Sequence, residues 1–84
     1  MKVLITLTAQ KQFDDLPLGI QARVRAIFER LTRWPDVSGE KELRNELRGG
    51  RRLRTGSYRV VYTVNVQAQT VVVFRIDDRK DVYR

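Results

Sequence analysis

The chain has 84 residues, no cysteine, no histidine and a formal net charge of +7. This length suits one domain, residues 1–84, which buries only about 60–65% of the surface that the unfolded chain exposes. The absence of cysteine excludes a disulfide framework and a thiolate nucleophile. The apolar N-terminal run is interrupted by threonines and is too short for a signal peptide or a membrane span. We therefore expect a soluble cytoplasmic protein.

Most of the excess positive charge lies in the second half of the chain. Residues 1–42 contain seven Lys or Arg and six Asp or Glu, whereas residues 43–84 contain ten and four. The excess is mostly arginine, whose planar fork of donors suits phosphate, so the pattern favours a polyanionic partner. No segment joins this charge to a long apolar helical face, which favours nucleic acid over an anionic membrane.

The N-terminal segment is predicted to form a strand followed by a short helix. Val3, Ile5 and Leu7 alternate along the strand, with two-sided apolar content. Thr8 is predicted to cap a helix over residues 9–15, and Pro17 marks the break before the next element.

A second helix is predicted from an apolar stripe at spacings of three and four residues, which is typical of a helix that packs against a core. The stripe comprises Ile20, Val24, Ile27, Phe28, Leu31 and Trp34. Pro35 is expected to stop this helix, and residues 40–47 are predicted to form one or two helical turns with Leu43 and Leu47 facing inward.

Three strands are predicted after the glycine pair at positions 49 and 50, over residues 51–54, 58–65 and 70–76, with residues 55–57 as a tight turn. The third strand is apolar on both sides and is expected to lie centrally in the sheet. Residues 77–84 are expected to leave the sheet as a polar tail. The predicted class is α+β: an N-terminal strand, a two-helix hairpin and a three-stranded antiparallel meander, with the helices packed on one face of the sheet.

Strand geometry predicts an arginine cluster opposite the helices. Arg52 and Arg54 are two residues apart and share a face. On the next strand a more apolar face, comprising Tyr58, Val60, Tyr62 and Val64, should contact the helices, which leaves Arg59 on the other side. A single arginine on a solvated sheet is ordinary. The cluster favours a functional interpretation because the tail, with Arg79 and Tyr83, can fold back over it.

These residues resemble the RelE/ParE superfamily of type II toxin–antitoxin toxins. The resemblance rests on residues 47–49, on the Arg-x-Gly-x-Tyr-Arg turn from Arg54 to Arg59 with the β-branched strand that follows it, and on the closing residues 78–83 with their Arg-x-x-x-Tyr pattern. The element order agrees along the whole chain.

The resemblance implies one of two activities. RelE-like members are ribosome-dependent ribonucleases that cut messenger RNA, whereas ParE-like members poison DNA gyrase. For the RelE-like activity, which the terminal tyrosine favours, the resemblance implies catalytic roles for Arg59, Arg79 and Tyr83, with Arg52 and Arg54 as basic residues of the preceding strand. Substrate-binding roles are predicted for the flanking cations, which are Arg51, Arg75, Lys80 and Arg84.

The proton-transfer group is the open question in this chemistry. Attack of a 2′-hydroxyl on the adjacent phosphate needs a base, positive charge on the phosphorane and an acid for the leaving oxygen. Arginine supplies the charge but is a poor base, with a pKa above about 12. RelE-like relatives carry lysines where this chain has Arg51, Arg52 and Arg54. The base is then Tyr83, with its phenol pKa lowered by nearby arginines, or a group of the RNA or ribosome.

Asp78 stands where many relatives have histidine or lysine, and its role has three alternatives. It acts as a base, pairs with Arg79 and fixes it, or caps the strand. The clustered carboxylates Asp77, Asp78 and Asp81 come from a single segment, which does not favour a metal site, and neither a metal nor another cofactor is predicted.

Three functions remain open from the sequence: a metal-independent endoribonuclease that inhibits translation, a gyrase poison, and a catalytically silent binding module derived from a toxin. For the ribonuclease the expected partners are the ribosome and messenger RNA. A toxin of this type also implies a cognate antitoxin, and an acidic, largely disordered chain is a suitable partner for a basic face. The resulting toxin–antitoxin complex is expected to be hetero-oligomeric.

Overall fold

The computed structural model describes residues 1–44 and 49–78, which form a five-stranded mixed sheet and two helices. The strand order is β1-β5-β4-β3-β2; β1 runs parallel to β5, and the other neighbours are antiparallel. The predicted α+β class is confirmed, with one additional short strand. The elements are β1 (Lys2–Ile5), α1 (Leu7–Asp14), α2 (Leu18–Leu31), β2 (Lys41–Glu42), β3 (Arg51–Thr55), β4 (Tyr58–Asn65) and β5 (Thr70–Asp78).

Helix α1 begins earlier than predicted, because Thr6 and not Thr8 is its N-cap. The Thr6 hydroxyl accepts a hydrogen bond from the backbone N–H of Ala9 at 3.2 Å. This bond satisfies one of the N–H groups that a helix start leaves without an intrahelical partner. The change of two positions ends β1 at Ile5 and places Leu7 in the first turn, where it is 83% exposed.

Helix α2 uses the predicted apolar stripe. Val24, Ile27 and Leu31 are buried, and Ile20 and Phe28 pack against the core from its margin. The helix ends at Leu31 instead of reaching the cis Trp34–Pro35 peptide. Within the two described ranges, neither helix is long and apolar enough to cross a membrane.

The prediction of helical turns at residues 40–47 is wrong in its described part. Lys41 and Glu42 form β2, a short edge strand that pairs antiparallel with Arg52 and Arg51. Pairing with β3 supplies backbone hydrogen-bond partners that one isolated helical turn would lack. Leu43 is half-buried, whereas Leu47 lies outside the described residues.

The core fills the space between the helices and one face of the sheet. From the sheet it takes alternate residues, which point to the same side. They are Leu53, Val60, Tyr62, Val71, Val73 and Ile76, and they pack against Ala9, Phe13 and the α2 stripe. Strand β4 therefore orients its faces as predicted, and the opposite side of the sheet is called the outer face below.

A β-bulge in β5 changes which of its residues lie on each face. Tyr62 pairs with Val73, but the preceding residue Val61 pairs with Arg75, so Phe74 is an extra residue in β5. A bulge places two residues of one strand opposite one residue of its partner. Val73 and Ile76 can therefore both face the core although they are three positions apart, and Arg75 is placed on the outer face. The strand also continues to Asp78, so the predicted start of the tail at residue 77 is wrong.

Candidate nucleic-acid interface

Four arginines lie on the outer face, on three neighbouring strands. Arg52 pairs with Val61 and Arg54 with Arg59 across the β3–β4 ladder, and Val61 pairs with Arg75 across the β4–β5 ladder. Cross-strand partners point to the same side of a sheet. The structure thus brings together Arg52, Arg54 and Arg59, as strand geometry predicted, and adds Arg75. We call these four residues the arginine cluster.

The arginine cluster surrounds one buried apolar side chain. Val61 has no exposed surface although it does not belong to the main core, and its neighbours on the two flanking strands are Arg52 and Arg75. Arginine carries an apolar methylene stem that can cover such a residue while its head group stays in water. Truncation of these arginines to alanine would therefore remove packing together with charge.

The hairpin turn sets the closest pair within the cluster. Gly56 and Ser57 connect β3 to β4, and Gly56 has a φ of 60°. A two-residue loop with positive φ at its first position is the type II′ pattern, whose twist matches that of the flanking strands. This loop makes Arg54 and Arg59 direct cross-strand partners.

Asp77 neutralises part of the cluster. Its Oδ1 accepts a hydrogen bond from Arg59 Nε at 2.7 Å, and its Oδ2 accepts from Arg59 Nη2 at 3.2 Å. The same Oδ2 lies 2.8 Å from Arg75 Nε. The side chains of Arg59 and Asp77 are only 13% and 12% exposed. One carboxylate therefore holds two guanidinium groups, and both of its oxygens are engaged.

Arg51 does not join the arginine cluster. It pairs with Tyr62 in the ladder, so it lies on the helix side of the sheet. Its Nη1 lies 3.1 Å from Glu40 Oε2, its Nη2 lies 3.5 Å from Glu42, and its guanidinium stacks over the Trp34 ring at 5.6 Å. Its charge is therefore used to attach the loop before β2 to the sheet.

Glu40 is the centre of this attachment. Its Oε1 accepts hydrogen bonds from Trp34 Nε1 at 2.8 Å and from the Tyr62 hydroxyl at 2.7 Å. Burial, followed by the hydrogen bond to Glu40 and the charge of Glu40, raises the pKa of the fully buried Tyr62 phenol far above its ordinary value. Tyr62 is thus a neutral donor at physiological pH and is unsuitable as a general base.

The remaining predicted site residues lie near or beyond the end of β5. Asp78 is its last residue, pairs with Tyr58, and lines a cleft of about 350 Å³ together with Gln12, Asp15 and Leu16. The other four, Arg79, Lys80, Tyr83 and Arg84, lie outside the described residues. Their roles, and the proposed pairing of Asp78 with Arg79, remain predictions.

Sequence reasoning missed the positions of two carboxylates. The sequence predicts Asp77 in the tail and Glu40 in a helical turn, whereas in the structure each carboxylate holds an arginine of the sheet. A sequence signal for the longer strand exists. Charged Arg75 and Asp77 flank apolar Ile76, and this alternation of polar and apolar residues is typical of a strand that continues beyond residue 76. The side on which the pair lies depends on the bulge, which has no local sequence signal here.

Comparison with known proteins agrees with this architecture. Residues 3–83 match the model of the family described as ParE toxin of type II toxin–antitoxin system, parDE. The chain is 41% identical to Toxin RelG of Mycobacterium tuberculosis, covering 98% of this chain and 94% of RelG. It is 39% identical to Toxin RelE of the same organism, covering 98% of this chain and 84% of that toxin.

Solved structures show the same relationship. A chain of the toxin–antitoxin complex RelBE2 from M. tuberculosis superimposes with a TM-score of 0.81 at 38% identity, covering 93% of this chain and 90% of that one. Sequence and fold agree along nearly the whole length. The chain therefore belongs to the RelE/ParE superfamily of toxins of type II toxin–antitoxin systems.

Proposed function

We propose that this toxin is a ribosome-dependent endoribonuclease that cuts messenger RNA and thereby inhibits translation in the cytoplasm. The observation that supports this proposal most directly is the arginine cluster, in which Arg54 and Arg59 are cross-strand partners and Arg75 lies one strand away. Like charges directly opposite each other destabilise a sheet, so a phosphate seated between them would relieve repulsion as it binds.

The cluster suits the electrostatic part of the reaction. In attack by the 2′-hydroxyl, negative charge grows on the non-bridging oxygens of the pentacoordinate phosphorane. Guanidinium groups that are already in place stabilise that charge with little reorganisation. Arg59 is 13% exposed at its side chain, which limits screening by water and salt. We assign charge stabilisation to Arg59, with Arg52, Arg54 and Arg75 binding phosphates.

Proton transfer is assigned to groups other than the arginine cluster. The chain has no histidine, and its arginines stay protonated at physiological pH. Tyr62 is excluded by its raised pKa and its burial. Tyr83 and Asp78 are the candidates within the chain, and a group of the RNA or the ribosome is the candidate outside it. Tyr83 is our choice, because it is the terminal tyrosine to which the family resemblance assigns a catalytic role.

A cleavage assay on programmed ribosomes tests this function. Purified toxin should cut the bound message, while Arg59→Ala should slow cleavage by about 100- to 1,000-fold, the usual loss when one donor to a developing oxyanion is removed. Tyr83→Phe should also slow it. Arg23→Ala, an exposed change on α2, is the matched control and should cut at the wild-type rate. Normal cutting by both site variants would disprove the residue assignment.

The second candidate function is a DNA gyrase poison, and the specific observation in its favour is the family description, which names the parDE system. Toxin that blocks supercoiling by gyrase but leaves ribosome-bound messages intact would establish this alternative. Expression that affects neither growth, translation nor supercoiling would instead indicate a silent binding module.

We also propose that an acidic antitoxin binds this toxin in a hetero-oligomeric complex. The M. tuberculosis relative RelBE2, 38% identical to this chain, was solved as a toxin–antitoxin complex. The net charge of +7 provides electrostatic complementarity to an acidic chain. Co-expression with the product of a short, acidic neighbouring reading frame should restore growth, and the two proteins should copurify.

A further inference from the structure

Asp77 is the only carboxylate that the described sheet residues place on the outer face. The cations there come from all five strands and are Lys2, Lys41, Arg52, Arg54, Arg59 and Arg75. The acidic residues at the ends of the sheet point the other way, because Glu42 pairs with Arg51 and Asp78 pairs with Tyr58 on the helix side. A lone acid among these cations is either a neutralising charge or a device that orients its neighbours.

The geometry favours orientation. Arg59 donates to Asp77 through Nε at 2.7 Å and through Nη2 at 3.2 Å, a two-point contact that fixes the plane of the guanidinium group. A guanidinium has five N–H donors, so three remain for another acceptor. Two of these three form the Nη1/Nη2 edge, which the contact with Asp77 leaves unused.

Arg75 is held by the same carboxylate but remains accessible. It uses Nε alone, at 2.8 Å from Oδ2, and its side chain is 42% exposed. Four of its N–H donors therefore remain. Arg59 donates a hydrogen bond to Oδ2 of Asp77 and Arg75 forms an ion pair with the same oxygen, so one atom holds both head groups close to each other and to the sheet.

We propose that Asp77 is a positioning residue, which orients Arg59 and Arg75 so that their remaining donors converge on one phosphate of the RNA. This inference rests on the proposed ribonuclease function, which it deepens. Asp77 touches neither the phosphate nor the reacting atoms. Asp77 restricts the rotation of two long side chains before RNA binds. The entropy cost of ordering them is therefore not added to the activation free energy when the transition state forms.

Two substitutions separate positioning from charge. Asp77→Asn keeps the shape but replaces one oxygen by an NH₂ donor, which repels one of the two guanidinium groups. Asp77→Glu keeps the charge but moves the carboxylate by one methylene. Both should lower kcat on programmed ribosomes by roughly 10- to 100-fold, since a misplacement of about 1 Å can cost 100-fold. KM should change by less than about 3-fold, because the cations remain.

The control is Asp36→Asn, which removes one negative charge at an exposed residue of the connection between α2 and β2 and should leave kcat unchanged. A wild-type kcat in either Asp77 variant overturns the proposal. If only Asp77→Glu has the wild-type kcat, the negative charge of residue 77 is sufficient and the exact position of its carboxylate does not matter. If Asp77→Asn is unfolded at the assay temperature by circular dichroism, the comparison of Asp77→Glu with the wild type decides.

A spectroscopic measurement keeps this test separate from the test of function. In ¹⁵N-labelled wild-type toxin the Nε–H resonances of Arg59 and Arg75 should exchange slowly with water, and both should shift when a 2′-O-methyl RNA hexamer binds. In Asp77→Asn at least one should exchange fast. If the wild type cuts no message, the proposed ribonuclease function fails, and the hexamer measurement then tests the positioning role of Asp77 by itself. Shifts of both Nε–H resonances on binding of the hexamer support that role. If the hexamer shifts neither resonance, the positioning role is overturned.

Discussion

Arg54 and Arg59 are direct cross-strand partners on the outer face of the β3–β4 hairpin, so two positively charged side chains leave neighbouring strands at opposite positions. Arg59 is compensated by Asp77, whereas the Arg54 side chain has no hydrogen bond or ion pair within residues 1–44 and 49–78. The two arginines therefore repel each other in the free protein, and an anionic ligand bound between them would reduce this repulsion.

Replacement of Arg54 should have opposite effects on stability and on RNA binding. Arg54→Gln removes the repulsion and should raise the free energy of unfolding by about 0.2–1 kcal/mol. It should weaken binding to a short RNA and lower the slope of log Kd against log salt concentration by about one. Fluorescence anisotropy at several salt concentrations and urea denaturation measure the two effects.

Arg23→Gln is the matched control for this prediction, since Arg23 is exposed on α2 and away from the cluster. It removes the same charge and should leave the salt slope near its wild-type value. An unchanged slope in Arg54→Gln would contradict a phosphate contact at Arg54.

Loss of the Tyr62 hydroxyl should destabilise the protein. Tyr62→Phe removes the 2.7 Å hydrogen bond to Glu40 at a position with no exposed surface. A removed partner in a buried network costs about 1–3 kcal/mol, and each kcal/mol lowers the Tm of a domain of this size by about 4–8 °C. Thermal denaturation followed by circular dichroism measures the change.

Tyr58→Phe provides the comparison, because within the described ranges the Tyr58 hydroxyl makes no hydrogen bond. Its Tm should stay close to that of the wild type. Equal losses in the two variants would show that the Glu40 bond contributes no more than an ordinary surface hydroxyl.

Alkaline pH should destabilise the wild type through the same residue. The folded-state pKa of Tyr62 is raised, so above about pH 10 the unfolded chain loses this proton while the folded chain keeps it. The stabilisation is complete below about pH 10 and falls by up to about 1.4 kcal/mol per pH unit above it.

Tyr62→Phe lacks this proton and should show a shallower decline of stability between about pH 10 and 11. Urea denaturation at each pH measures the difference between the two proteins. Tyrosine ionisation can be followed by absorbance at 295 nm. In the wild type, one of the three tyrosines should ionise only when the protein unfolds. Parallel declines in wild type and variant would contradict a raised pKa.

Two glycine-to-alanine changes should have opposite signs. Gly56→Ala forces a φ of 60° on a residue with a Cβ and should cost about 1 kcal/mol, although the added atom meets nothing within 4 Å. Gly19→Ala, in the first turn of α2 and also without a neighbour within 4 Å, should stabilise by about 0.5 kcal/mol through helix propensity. The midpoints of denaturant unfolding measure the stability change in both variants. If Gly56→Ala leaves the stability unchanged, the type II′ turn is contradicted.

The parts of this fold that were predictable have a local cause. The α2 stripe, the β3–β4 hairpin and the direction of Arg52, Arg54 and Arg59 follow from periodicity and turn chemistry within a few residues. The wrong predictions concern residues whose structure depends on contacts with residues distant in the sequence. Residues 41 and 42 become a strand because β3 offers a free edge, and Glu40 acquires its role from Trp34, Arg51 and Tyr62.

The sequence by itself determined the class of the fold, the placement of excess arginine on one half of the chain, and the presence of the β3–β4 hairpin. The loop of this hairpin is one residue shorter than the predicted turn over residues 55–57, and this shorter loop makes Arg54 and Arg59 cross-strand partners. Only the tertiary structure decided the placement of Arg75 and Asp77. Strict alternation from Val71 and Val73 would direct both towards the helices, and the bulge at Phe74 turns them to the outer face. The physical reason is that a bulge is set by pairing with β4 and by burial of both Val73 and Ile76, which are relations between strands.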